Sequence, residues 1–451
     1  MMKAYSIFVK VVVVALLFAI VAASMYGCEK KPIVLRIWQT ETDPTTVNVL
    51  EAAARSFQRE HENVTVEIES IAWGSLSQRL LTALVSGHPP DISHLQPFML
   101  QSLADKGRLL ELDDVIDSIG RDDIYPNIRE MHKIGGHYYG IAHSFNTSQW
   151  GYRRDIAASK GVDVDTIVNW SQFIGALAQC TDTAMYGAIL PGGDPLFIDF
   201  LLAQFVACNG GCLFHENGRP AFTEEPVIEA LQFFYDIAKY CPPDWVSTKY
   251  IDQFRPEISG KVVFIPFTGY RASKQFELDA PANMANPDYF SVMTPPIGPR
   301  GDSSTHYSGW DGEPFVIFRD SRNVTIAKEF LEYFYKSQYY YDYCASVPGH
   351  LSPIFKSMNE GGAYDTLNSV KQWTPWREMM MNQIQADKIL PFLISAKHEL
   401  KLGFLLEIQN QRILSRMVLD VTRDGISPRE AAEIARTKAE KLITDLGYKK
   451  W

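Results

Sequence analysis

Residues 33–95 switch repeatedly between two hydrophobic periods, and this constrains the fold more than any other feature. IVLRIW (33–38) reads as a short strand. In TETDPTT, Asp43 suits a helix cap and Pro44 the first helical position. Val47, Leu50, Ala54 and Phe57 then recur at helical spacing to about Glu60. VTVEIES (64–70) alternates, with Val64, Val66 and Ile68 on one face. A second helix, capped by Ser75, gathers Leu76, Leu80, Leu81 and Leu84 on one face and stops at Gly87. His88-Pro89-Pro90 turns the chain into a strand over 91–95. Strand, helix, strand, helix, strand predicts an α/β fold with parallel pairing, and ligands beyond the carboxyl ends of the strands.

Farther on, a long polar-aromatic helix is expected over 326–343. Another starts at SPRE, with Ser427 as cap and Glu430 reaching back, and runs to Leu446. Gly and Pro concentrate at 191–195, 208–212, 294–314 and 346–353, the expected loops.

The chain has 451 residues and a formal net charge of −10, a length suited to two or more domains. An acidic chain without a basic stripe is a poor nucleic-acid binder. Lys3 and Lys10 precede fourteen uncharged residues, 11–24, which as a helix span only about 21 Å, short of the ~30 Å hydrocarbon core. This describes an export signal. Gly27-Cys28 then resembles the bacterial lipoprotein box, with Met25 and Tyr26 in place of its usual Leu and small residue. The expectation is a signal over 1–27, lipid on Cys28 and a polar tether over 28–32. Two or more acyl chains hold a protein firmly at a membrane, where one does not. The alternative is ordinary export with an incidental thiol.

The order of motifs resembles the extracellular solute-binding proteins of bacterial ABC importers, in the branch that includes maltose-binding protein. The stretches that carry it are LRIWQTETDP, LLTALVSGHPPDISHL, LADKGRLLELDDVI (103–116), GGHYYGIAHSFNTSQWGYRRDI (135–156), FTEEPVIEALQFFYDIAKY (222–240) and ISGKVVFIPFTGYR (258–271). The crossover departs from the usual Tyr-Asn-Lys-Asp, reading Tyr152-Arg153-Arg154-Asp155. The resemblance implies a two-lobed periplasmic-binding-protein fold of type II that closes on ligand by hinge motion. Its lobes would comprise 33–142 with 313–350, and 143–312 with 351–451. A monomer would deliver a carbohydrate to a membrane permease, with no cofactor and no metal.

Cleft contacts should come from loops at strand ends. Trp38, Thr40, Glu41 and Asp43 follow the first strand, although Asp43 also reads as a cap and Trp38 as core. Trp73 occupies a place where the family often sets an aromatic near the cleft. Gln96 ends a buried strand, and Ser144 and Asn146 follow the first crossover. Gly193 and Asp194 form either a tight turn or a hydroxyl-binding loop. The resemblance implies that Tyr270 faces ligand. Trp310 and Asp311 offer a ring face beside a carboxylate, suited to a sugar, or a packed hinge. His350 stands in the expected third crossover.

No GxSxG, HExxH or CxxC motif occurs, and the ten histidines are scattered. An extracytoplasmic glycosidase using Asp311 and Glu313 as paired carboxylates is the remaining alternative. Arg271, Arg153 and Arg154 leave room for an anionic solute such as a glycerol phosphate. A module that presents sugar without transporting it is a further alternative. If Cys28 is lipidated, five of six cysteines remain. Cys208 with Cys212 is the expected bridge, Cys180 with Cys241 a second, and Cys344 the odd thiol.

Overall fold

The computed structural model describes residues 31–390 and 402–448. Cys28 and the export segment lie outside the described residues. The chain opens with β1 (Ile33–Gln39), α1 (Pro44–Glu60), β2 (Val64–Ser70), α2 (Trp73–Val85), β3 (Ile92–His94) and α3 (Pro97–Asp105). β1 pairs in parallel with both β2 and β3, placing Ile37 beside Ile68 and Ile92. Asp43 caps α1 by accepting the Thr45 amide proton at 2.8 Å. α2 starts two residues before Ser75, at Trp73 with Ala72 as cap, so Ser75 lies inside its first turn.

The chain leaves this lobe through β4 (Ile141–Ala142) and crosses on β5 (Asn146–Ser148). The second lobe holds β6 (Trp150–Arg153), α4 (Trp170–Cys180), β7 (Tyr186–Ala188), α5 (Pro195–Cys208), α6 (Glu225–Ala238), β8 (Val262–Ile265) and β9 (Phe290–Met293). The return runs on β10 (Ser308–Asp311), antiparallel to β5, into β11 (Pro314–Ile317). The first lobe's sheet therefore has the order β2-β1-β3-β11-β4, and the second lobe's β9-β6-β8-β7. Two sheets with helices packed on them, joined by the paired crossover strands, make the two-lobed type II architecture expected from the sequence.

The helix expected over 326–343 is two: α7 (Val324–Lys336) and α8 (Gln338–Ser346). Ser337 between them is extended, with φ −90° and ψ 164°. The tyrosine run Tyr339–Tyr341 on the second piece fits more than one helical phase, which hides the break from a pattern reading. The third crossing also comes later than residue 350. Leu351, Ile354, Tyr364 and Val370 are buried in the first lobe's core, and Tyr125 N–H donates to the Ile354 carbonyl. Trp373 and Trp376 are the first to join the second lobe, beside Phe276 and Phe290. They open α9 (Thr374–Gln385), after which β12 (Ile389–Leu390) joins β10. The chain ends in α10 (Leu405–Asn410), α11 (Ile413–Thr422) and α12 (Pro428–Asp445). The Ser427 hydroxyl accepts the Glu430 amide proton, half of the expected box.

The expected disulfides do not form. Cys208 is buried and its thiol lies 3.5 Å from the Tyr307 carbonyl, while Cys212 turns to His215 Nδ1 at 3.8 Å. Burial pushes the Cys208 thiol up to about 12. Cys180 and Cys241 are separate buried thiols, and Cys344 is buried and unbridged as expected. Among the described residues, no helix is long and apolar enough to cross a membrane.

Candidate functional site

Between the lobes lies a cleft of about 880 Å³. Its polar part begins at the carboxyl end of β1. Here Gln39 folds back on the next turn: its side-chain amide donates to the Glu41 carbonyl and accepts the Glu41 amide proton, both at 2.6 Å. The loop is thereby fixed, and Glu41 is held 7% exposed. Arg271 reaches it from the second lobe at 3.2 Å, and His350 Nε2 lies 3.6 Å away. Burial alone would raise the Glu41 pKa. The His350 hydrogen bond and the charges of His350 and Arg271 outweigh it, and hold the carboxyl well below its usual range. Glu41 is thus a fixed anion contacted from both lobes.

A second polar layer lies against the crossovers. Thr40 donates its amide proton to His94 Nδ1 at 3.1 Å and its hydroxyl proton to Glu313 at 2.9 Å. The His94 and His143 rings stack at 4.1 Å and 14°. His143 Nδ1 meets the Tyr343 hydroxyl at 2.8 Å. Burial, opposed by the Glu41 charge, pushes His143 down to about 3. Burial and then the neighbouring His143 depress His94 well below its usual value too. Both are neutral near pH 7. Ligating atoms of His94, His143 and Glu313 lie within 4.8 Å of one another. Nδ1 of His94 is already an acceptor, however, and near-parallel rings direct their lone pairs along parallel lines rather than to one point. The trio fits a hydrogen-bond network better than a metal centre.

The apolar part is aromatic. Trp73 begins α2 with its ring 5.6 Å from Phe197 on α5, across the lobes. Phe197 in turn stacks on Tyr250 at 4.3 Å and 4°. Phe200 and Phe267 complete this wall. Phe267 has φ 67°, a left-handed backbone that is a true outlier for a bulky residue.

Eight of the sequence-expected residues line the cleft: Thr40, Glu41, Trp73, Gln96, Ser144, Asn146, Asp194 and His350. Asn146 donates to the His350 carbonyl at 3.3 Å, fixing that turn. Gln96 donates to the Trp73 carbonyl at 3.0 Å. Asp194 accepts the Tyr250 amide proton at 2.7 Å, which positions the Tyr250 ring.

Four others do not line it. Trp38 packs on the core beneath the Arg79 guanidinium, 4.9 Å from the ring centre. Asp43 serves as the cap described above. Gly193 donates its amide proton to the Thr248 carbonyl at 2.8 Å, and a Cβ there would stand 2.5 Å from the Ser247 carbonyl. Close backbone approach, not hydroxyl binding, is what requires glycine. Tyr270 is fully buried, donating to the Trp373 carbonyl at 3.1 Å with its ring edge-on to Trp376. Its neighbour Arg271 faces the cleft instead. Trp310 and Asp311 lie on β10 opposite Thr147 and Asn146; their side chains lie outside the described set. The sequence reading missed Phe197, Phe200, Tyr250, Phe267 and the segment Gln409–Arg412. α5 is apolar on all faces, so no period marked the face it turns to the cleft.

Residues 39–340 match the sequence profile of the bacterial extracellular solute-binding proteins. An arabinooligosaccharide-binding protein of Halalkalibacterium halodurans is 24% identical over 264 residues, 50% of this chain and 57% of that protein. The chain thus matches little more than half the length of that relative. The GacH receptor of Streptomyces glaucescens, solved with and without acarbose, superposes with a TM-score of 0.74 at 19% identity, covering 93% of this chain and 100% of that one. A sugar transporter protein of Arthrobacter chlorophenolicus with bound laminaribiose gives 0.76 at 16% identity, over 90% and 99%. With more than half its length matched by that profile, the chain belongs to the bacterial extracellular solute-binding protein family and is by that membership an exported protein.

Proposed function

We propose that the chain captures a neutral carbohydrate, mono- or oligosaccharide, in the interlobe cleft and passes it to the permease of an ABC importer. The observation that carries this reading is the pairing of Glu41 with Arg271 inside a cleft walled by Trp73, Phe197 and Tyr250. Aromatic faces cover the C–H faces of a sugar, and fixed polar groups take its hydroxyls. The volume is ample for an oligosaccharide. The names of the relatives, with arabinooligosaccharide and laminaribiose among them, support the class.

The Arg271 charge is matched by Glu41, and this favours a neutral ligand over a glycerol phosphate. Glu313 is buried and bonded to Thr40, an arrangement suited to structure rather than glycoside hydrolysis. The chain acts as a monomer tethered through lipid on Cys28, facing the periplasm or exterior. Mass spectrometry of the mature N-terminus tests the tether: a diacyl or triacyl Cys28 is expected, and an unmodified thiol contradicts it.

A thermal-shift panel tests the ligand class. Binding at 100-fold excess over Kd adds about 2.7 kcal/mol. A neutral oligosaccharide from an arabinan, maltose or laminarin series should raise Tm. A rise with glycerol 3-phosphate alone would overturn the reading, and loss of sugar uptake on deletion separates import from presentation.

A further inference from the structure

The C-terminal segment builds a third wall that belongs to neither lobe's sheet. α10 packs on α3 of the first lobe, whereas α11 packs on α5 and α6 of the second. Leu402, Phe404, Leu405 and Ile408 are buried in one core with Phe98, Met99 and Leu103 of α3. Phe404 also meets Phe214 of the second lobe, ring centres 5.4 Å apart. At the far end of α3 from Gln96, a Cβ on Gly403 would lie 3.0 Å from Asp105 Oδ2. This strap therefore grips both lobes, and its tip, Gln409, Asn410 and Arg412, lines the cleft.

Two further features mark the tip. Arg412 has φ 53°, so a non-glycine residue adopts the left-handed conformation just before α11. Among the described residues three non-glycines do so, and two of them, Phe267 and Arg412, line the cleft. Such strain concentrates at ligand clamps. Beneath the tip, Asp199 of α5 is fully buried beside Ser415 and Arg412, and burial raises its pKa far above the usual carboxylate range. Arg412 lines the cleft together with Gln409 and Asn410, and its charge acts on Asp199 beneath it.

We infer that Gln409, Asn410 and Arg412 form a distal subsite that selects ligand length by binding hydroxyls of a sugar unit beyond the crossover cluster. Two planar amides and a guanidinium fork suit pairs of adjacent hydroxyls. The inference rests on the carbohydrate reading above.

Calorimetric titration of the purified protein with arabino-, malto- and laminari-oligosaccharides of two to six units tests it. Arg412→Gly removes the fork and relieves the left-handed strain, so the variant should fold at least as well as the parent. Loss of one charged hydrogen-bond donor should weaken the longest bound oligosaccharide about tenfold and the disaccharide less than about twofold. Gln409→Ala should act in the same direction. Equal loss at every length, or no loss, would overturn the subsite while leaving the carbohydrate reading intact. A parent protein that binds no oligosaccharide would overturn both.

Discussion

The two parts of the cleft are assembled differently. The crossover end is fixed within the first lobe and its connecting strands: Gln39 locks the Glu41 loop, Thr40 ties His94 to Glu313, and Tyr343 holds His143. Arg271 is a charge that the second lobe adds there. The aromatic end exists only when the lobes meet, because Trp73 comes from one and Phe197, Tyr250 and Phe267 from the other. The first arrangement is preorganised and suits selection of hydroxyl geometry. The second links binding to closure, since a sugar ring between these faces is desolvated only in the shut form.

The largest effect should follow Glu41→Gln. It removes the anion that Arg271 and His350 share, leaving a half-buried guanidinium without its partner. Affinity for the bound sugar should fall about 100-fold by calorimetry, as expected for a charged hydrogen-bonding group. A change below threefold would break the claim that the crossover end is the anchor. Next, Trp73→Ala should weaken binding about tenfold and also reduce the ligand-induced compaction seen by small-angle scattering. Lost affinity with full compaction would detach the aromatic end from closure.

A third test uses pH. His143 and His132 are depressed to about 3 and about 4 by burial, from an ordinary 6.5. Below pH 6.5 the unfolded chain takes up protons that the folded chain refuses, so stability falls as pH drops from 6.5 toward 4. Thermal unfolding of the parent beside His143→Gln and His132→Gln should show that decline lessened in the variants. Buried Asp199 and Glu257 act in the opposite sense in all three proteins. An equal slope in all three would mean that these rings are not buried neutral. The smallest effect belongs to Tyr270→Phe. It removes one buried hydrogen bond, lowers stability by about 1 kcal/mol and leaves sugar affinity unchanged. Loss of affinity would return Tyr270 to the cleft.

Much of the fold was legible because its signals are local. The alternation over 33–95 announced three parallel strands, and Asp43-Pro44 announced the start of α1. Residues fixed by long-range packing were not legible. Tyr270 and Arg271 are adjacent, and only the position of Trp373 decides which is buried. Residues 351–370 read as the second lobe because their partners, such as Tyr125, lie more than 200 positions away. The Gln409–Arg412 tip has no motif at all; its place follows from α10 sitting on α3. Polar residues after strands were the reliable signal, and Thr40, Glu41, Gln96 and Asn146 all reached the cleft that way.

The most direct test of the account is a calorimetric titration of the parent protein with neutral oligosaccharides beside glycerol 3-phosphate. Saturable one-to-one binding of a neutral oligosaccharide is expected, with a negative heat-capacity change from apolar burial against the aromatic wall. The phosphate ester should give no binding heat. Saturable binding of the phosphate ester, with none of any carbohydrate, would contradict it.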